Sequence, residues 1–332
     1  MGRGIFLASR CLGETMRRLA ISAGLLLAVL LAVPSAGEAS SFSQLIVYGD
    51  SLSDNGNIFA ASGGAFPPAP YAQRMSNGPV AVEYMAATLG LPLVDLAFAG
   101  ATTGTSNVLN GALPGMLQEL LGGPAVDPSA LYVVWGGAND FLSLPSDPVA
   151  AATASVANLM FIVDGLTAGG AQEILVPGLP DLSLTPRARA LDPATQIALH
   201  QLSQFFNGLL LNDLLLRPNT TFFDTSALLA AIVANPATYG FTNATDACKS
   251  PPDAGLPGVV CADVGTYVFF DDIHPTTAGH ATLGGQFAAA VPAAVPEPSS
   301  ILLVVVGVAE AVRRRTSARR GFRTTRGAAP RR

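Results

Sequence analysis

The chain has 332 residues, a formal net charge of −5, 34 glycines and 25 prolines. The charge is uneven, because residues 40 to 296 hold five basic side chains against nineteen acidic ones, a net of −14, while the C-terminal tail is rich in arginine. So acidic a body disfavours nucleic acid and anionic membrane surfaces as partners, since both are bound through basic side chains.

At the N-terminus, Met16-Arg17-Arg18 precedes fifteen largely apolar residues, Leu19 to Val33, and then the small-residue segment Pro34 to Ala39. This reads as a secretory signal peptide over residues 1–39, with Met16 as an alternative start. The apolar run falls short of the ~20 residues that a membrane-spanning helix needs.

Strands and helices then alternate. Apolar β-like runs occur at Leu45–Tyr48, Leu93–Phe98, Leu131–Trp135, Glu173–Val176 and Thr221–Phe223. Helical patterns fall at Val80–Leu89, Met116–Leu121, Ala150–Leu166, Thr195–Leu216 and Thr276–Ala290. Repeated β-then-α units predict an α/β fold, a parallel sheet covered by helices on both faces. No repeat or linker divides residues 40–290, so one domain is expected there.

Four places along this pattern carry chemistry. After the first strand comes Gly49-Asp50-Ser51-Leu52-Ser53-Asp54, which offers the Ser51 hydroxyl at a strand end, where open α/β sheets place their ligand sites. Taken alone, Asp50 to Asp54 reads more often as a turn or a helix N-cap. After the second strand, Gly100 in Phe98-Ala99-Gly100-Ala101-Thr102 can bring a backbone N–H close to a substrate oxygen, or can be a plain turn glycine. After the third, Asn139 in Trp135-Gly136-Gly137-Ala138-Asn139-Asp140 offers a neutral N–H donor to an oxyanion; its other reading is an Asx-turn. Before the last helix, Phe270-Asp271-Asp272-Ile273-His274-Pro275 spaces a carboxylate and an imidazole so that one turn can aim both the same way. His200 and His280 fall inside helical patterns and read as packed or solvated helix residues.

Other chemistries lack their residues. The chain has no Gly-x-Ser-x-Gly, His-Glu-x-x-His or Cys-x-x-Cys string, and its one lysine, Lys249, follows a cysteine rather than a phosphate-cradling glycine. With Cys11 in the signal, the mature chain retains Cys248 and Cys261, and two cysteines in an exported protein invite a disulfide. Metal binding there would need further Cys or His nearby.

The four blocks, in this order, resemble the GDSL family of SGNH hydrolases over roughly residues 44 to 290. Stretches such as Ser76-Asn77-Gly78-Pro79 and Asn235 to Asn243 look like its longer bacterial and plant esterases. The resemblance implies a three-layer, flavodoxin-like fold on a five-stranded parallel sheet, with no metal or cofactor. It makes Ser51 the nucleophile, His274 the general base and Asp271 its orienting partner, and Gly100, Asn139 and the Ser51 N–H the oxyanion donors. Asp95 stands where relatives often have Asn, and Ala99 where a second glycine is usual. The implied reaction is two-step acyl transfer on a lipid or short-chain carboxylic ester. Removal of acetyl groups from an extracellular polysaccharide is the alternative, and a catalytically inert surface-binding protein on the same scaffold is another.

The C-terminus runs Val295-Pro296-Glu297-Pro298-Ser299-Ser300, then apolar residues Ile301 to Ala309, then Arg313-Arg314-Arg315 and six further arginines. Over residues 291–332 this resembles the PEP-CTERM sorting signal of Gram-negative bacteria, and implies export machinery and an exosortase-type protease as partners. The expected location is the periplasm, outer surface or extracellular matrix of such a bacterium. Glu310 interrupts the apolar stretch, and a disordered basic tail is the other reading.

Overall fold

The computed structural model describes residues 42–142 and 145–292. The expected signal peptide, residues 1–39, and nearly all of the expected sorting tail therefore lie outside the described residues.

Five short strands form the main sheet: β1 (Leu45–Gly49), β2 (Leu93–Asp95), β3 (Leu131–Trp135), β4 (Glu173–Pro177) and β5 (Thr220–Phe223). They pair in the order β2-β1-β3-β4-β5, every pair parallel, as the α/β pattern predicts. The centre of this sheet is apolar residue after residue because both faces are covered. Leu45 and Val47 of β1, with Leu131, Val133 and Trp135 of β3, face one way, onto Val82 and Met85 of α1 (Ala81–Leu89) and Phe287 of α5 (Thr277–Ala290). Ile46, Tyr48, Tyr132 and Val134 face the other, onto Met116 of α2 (Met116–Gly122), Val156, Leu159 and Val163 of α3 (Pro148–Ala168), and Phe206 and Leu210 of α4 (Pro193–Leu214). Three layers result.

Several boundaries differ from the sequence expectation for local reasons. Helices α3 and α4 start two residues early, because Asp147 and Asp192 accept hydrogen bonds from Ala150 and from Ala194 and Thr195, and a proline follows each cap. Strand β2 stops at Asp95 rather than Phe98. The Asp95 carboxylate accepts the N–H groups of Asn55 and Ala97 and turns the chain, although Leu96 and Phe98 still donate to Val47 and Gly49 of β1.

The sequence pattern also omits a short arm after β5. A helix at Thr225–Ala234 leads to β6 (Asn243–Ala247), which pairs in parallel with β9 (Tyr267–Phe269). Between them β7 (Lys249–Ser250) and β8 (Val259–Val260) make a two-residue antiparallel hairpin. This arm delivers the chain to the Asp271–His274 turn.

Candidate active site

Ser51, Gly100, Asn139 and His274 all lie beyond the carboxyl ends of strands, on four separate connections. Glycine at position 49 lets β1 finish hard against β3, since a Cβ there would stand 2.7 Å from the Trp135 carbonyl oxygen. The chain then turns: Ser53 and Asp54 donate to the Asp50 carbonyl, and Leu52 donates to Asp50 Oδ1. Ser51 rides on this turn, nearly buried.

His274 Nε2 lies 2.9 Å from Ser51 Oγ, and His274 Nδ1 lies 2.8 Å from Asp271 Oδ2. Asp271 is fully buried and its Oδ1 also accepts the N–H groups of Ile273 and His274, which folds the Asp271–His274 segment into a single turn. Burial alone would raise the Asp271 carboxyl, but the imidazole charge and the hydrogen bonds from His274 and Ile273 outweigh it and hold the group below the usual carboxylate range. An ionised Asp271 fixes the proton on Nδ1 and leaves the Nε2 lone pair toward the serine hydroxyl, the tautomer a general base requires.

The sequence reading missed one member of this cluster, Tyr71. Its hydroxyl donates to Asp271 Oδ2 at 2.7 Å and accepts the Gly255 N–H at 2.9 Å. The ring packs edge-on against Phe270, with the Lys249 ammonium 5.7 Å from its centroid. Burial first, and the Asp271 charge and hydrogen bond next, push the phenol well above its ordinary value, so it stays a donor at all working pH. Nothing in the sequence around Tyr71 signals the role, because its partner is 200 residues away.

The donor side is built by buried carboxylates. Glu119 accepts the N–H of Gly49 through one oxygen and of Phe98 through the other, clamping the end of β1 to the segment that follows β2. Asp54 reaches across to accept the Ala99 N–H at 2.8 Å, beside Gly100. Asp140 accepts both the N–H and the hydroxyl of Thr103, tying the Gly100 loop to the Asn139 loop. Gly100 itself has φ +82°, and a Cβ would stand 2.6 Å from Asn107 Oδ1, so only glycine fits. Asn139 sits on a 3₁₀ turn; one Nδ2 hydrogen goes to the Ala101 carbonyl at 2.9 Å, which leaves the other for a ligand. Among the described residues, the N–H groups of Ser51 and Gly100 have no acceptor.

The other two histidines lie elsewhere. His280 is fully buried, accepts the Ala81 N–H through Nδ1, and is depressed to about 3, chiefly by burial. His200 lies on α4, with Nδ1 2.6 Å from Asp181. Cys248 and Cys261 are joined in a disulfide with Cα atoms 5.1 Å apart. Cys248 and Lys249 donate to the Phe269 and Phe270 carbonyls, so the bridged loop is stitched directly to the turn carrying Asp271.

A serine hydroxyl aligned on an imidazole, an imidazole aligned on a buried carboxylate, and unpaired N–H donors nearby form an arrangement that can perform acyl transfer. Comparison with known proteins bears on that chemistry. The sequence pattern of the GDSL-like Lipase/Acylhydrolase family matches residues 45–287. The chain is 31% identical over 241 residues to the phosphatidylcholine-sterol acyltransferase of Aeromonas hydrophila, covering 66% of this chain and 69% of that one. It is 29% identical over 271 residues to the thermolabile hemolysin of Vibrio parahaemolyticus, covering 74% and 63% respectively. To esterase EstA of Pseudomonas aeruginosa it is 29% identical over 312 residues, covering 77% of this chain and 48% of that one. Thus the chain spans less than two thirds of the length of the second relative and about half of the third. With the family pattern running from β1 to the last helix, the chain belongs to the GDSL-like lipase/acylhydrolase family.

Proposed function

We propose that this chain is a serine ester hydrolase that cleaves carboxylic esters through an acyl-enzyme on Ser51. The observation that carries the reading is the continuous pair of hydrogen bonds from Asp271 through His274 to Ser51, at 2.8 and 2.9 Å. As Ser51 Oγ attacks the ester carbonyl, His274 Nε2 takes the hydroxyl proton. The oxyanion is met by the Ser51 and Gly100 N–H groups and by Asn139 Nδ2, each such donor contributing ~3–4 kcal/mol to the transition state. His274 returns its proton to the leaving alcohol. It then takes a proton from the water that attacks the acyl-enzyme and gives it to Ser51 Oγ as the carboxylic acid leaves, while Asp271 stabilises the imidazolium in both halves.

A lipid or other carboxylic ester is the proposed substrate, with acetylated extracellular polysaccharide as the competing one. The disulfide supports export, because such bonds persist in oxidising compartments. From their sequence features, residues 1–39 are read as a signal peptide and residues 291–332 as a tail for an exosortase-type protease, with the protein in the periplasm, on the outer surface or in the matrix.

The test is hydrolysis of a p-nitrophenyl ester series and of acetylated glycans by the purified protein and its Ser51→Ala variant. Turnover that vanishes in the variant, with melting behaviour nearly intact, supports the reading. Substantial turnover by Ser51→Ala removes Ser51 as the nucleophile, and no turnover by the parent protein favours an inert binding scaffold.

A further inference from the structure

Two largely apolar hollows lie among the segments that carry the site, and they differ sharply in size. One, behind Leu52, Trp135 and Pro275, holds only about 40 Å³. The other is an open cleft of about 250 Å³ between the helix Asn57–Ala61, which follows the Ser51 turn, and the loop that follows Gly100. Its walls are Ile58, Ala61 and Phe66 on one side and Leu109 and Leu113 on the other. Leu109 begins the cleft at the oxyanion donor, since its Cγ stands 2.7 Å from where a Cβ on Gly100 would lie. Ile58 anchors the other wall to the same loop, because Asp54 accepts both the Ile58 and the Ala99 N–H through Oδ2.

The lining is chemically one-sided. Neither wall carries a charged side chain. Ser62 Oγ already bonds the Phe59 and Phe66 carbonyls and the Ala65 and Phe66 N–H groups, and Asn110 Oδ1 accepts the Ala112 N–H. A sugar would need convergent polar partners in such a site, whereas an alkyl chain needs only apolar surface removed from water. Leu109 is 48% exposed, so that surface is there to be covered.

We infer that this cleft seats the acyl chain of the substrate, and that the preferred ester carries a chain of about six to ten carbons. At about 250 Å³ the cleft is larger than an acetyl group fills. The inference rests on the serine-hydrolase reading above. It adds the direction of the chain: the carbonyl sits between Ser51 and Gly100, and the tail runs past Leu109 toward Ala61.

The test compares acetyl, butyryl, octanoyl and dodecanoyl p-nitrophenyl esters on the parent protein and on Ala61→Trp, which fills the far end of the cleft. In the parent, kcat/KM should rise roughly three- to fourfold per methylene up to about eight carbons, as expected for buried methylenes. In Ala61→Trp the octanoyl-to-acetyl ratio should fall at least tenfold. If that variant does not fold, Leu109→Asn on the exposed wall serves the same purpose, with the same expected fall in the ratio. Calorimetric titration of Ser51→Ala with octanoate and acetate adds a readout independent of turnover: octanoate should bind more tightly, and Ala61→Trp should abolish the difference. An octanoyl-to-acetyl ratio untouched by the cleft variants, or a parent profile that peaks at acetyl, overturns the inference while leaving the hydrolase reading standing. A parent that hydrolyses no ester yet binds octanoate only when the cleft is open reverses the outcome, keeping the cleft and removing the hydrolase.

Discussion

The Tyr71 hydroxyl donates to Asp271 Oδ2 at 2.7 Å, on the same oxygen that faces His274 Nδ1 at 2.8 Å. Tyr71 therefore shares the carboxylate with the imidazole and holds that oxygen in place against Nδ1. It also holds the disulfide-bridged loop, through Gly255, against the turn that carries both residues.

Replacing Tyr71 with Phe removes the donor and keeps the ring. We expect kcat to fall by about tenfold with KM nearly unchanged, since a hydrogen bond to a charged group contributes roughly 1.5–3 kcal/mol and only part of it bears on the transition state. A loss of stability with kcat and KM both unchanged would reduce Tyr71 to a packing role.

Asp271→Asn keeps a hydrogen-bonding side chain but favours the wrong imidazole tautomer. Its kcat should fall by orders of magnitude, with little change in KM. His274→Ala should lose activity. Persistent activity would place the base elsewhere, although His280 is buried against Ala81 and His200 faces Asp181, so neither lies on the serine.

Asp50 supplies a pH dependence of stability. Its carboxyl is raised from 3.8 to about 6, first by burial and further by Asp140, against the Leu52 hydrogen bond and the His274 charge. Between those values the folded protein holds a proton that the unfolded chain has released, so stability falls as pH rises through the window and stays lower above it. Asp50→Asn retains an oxygen for the Leu52 N–H and removes the buried charge. It should stabilise the fold at pH 8 by about 2–4 kcal/mol, at ~1.4 kcal/mol per pH unit, and have little effect below pH ~4. Urea unfolding at the two pH values measures the difference; a variant less stable than the parent at pH 8 contradicts the sign.

The Cys248–Cys261 bridge closes a loop with a sequence separation of 13. In the chain-entropy model a loop of this size stabilises by ~3 kcal/mol, so Cys261→Ser should lower the melting temperature by several degrees. Because the loop carries Gly255 against Tyr71, kcat should fall as well. Mass spectrometry of the unreduced, alkylated protein checks the bond itself, and two alkylated thiols would falsify it.

Much of the fold was legible because its signals are local. Each central strand is an unbroken apolar run, as burial on both faces demands, and four of the five expected strands coincide with the observed ones to within a residue. Ser51, Gly100, Asn139 and the Asp271–His274 pair could likewise be singled out, since each follows a strand or precedes a helix at a recognisable string. The arm from Thr225 to Phe269 was not legible: its strands run only two to five residues, too short for any periodicity to show. The clamps that shape the site were equally silent. Glu119 joins Gly49 to Phe98, Asp54 holds Ala99, and Tyr71 holds Asp271, each a side chain satisfying a partner 21 to 200 residues distant. Sequence determined which groups could react and on which strand ends they stand, because those follow from patterns a few residues long. Only the tertiary structure decided which carboxylates are buried, which N–H groups remain free and where an apolar chain can lie, because desolvation and hydrogen-bond pairing depend on what the folded chain brings alongside.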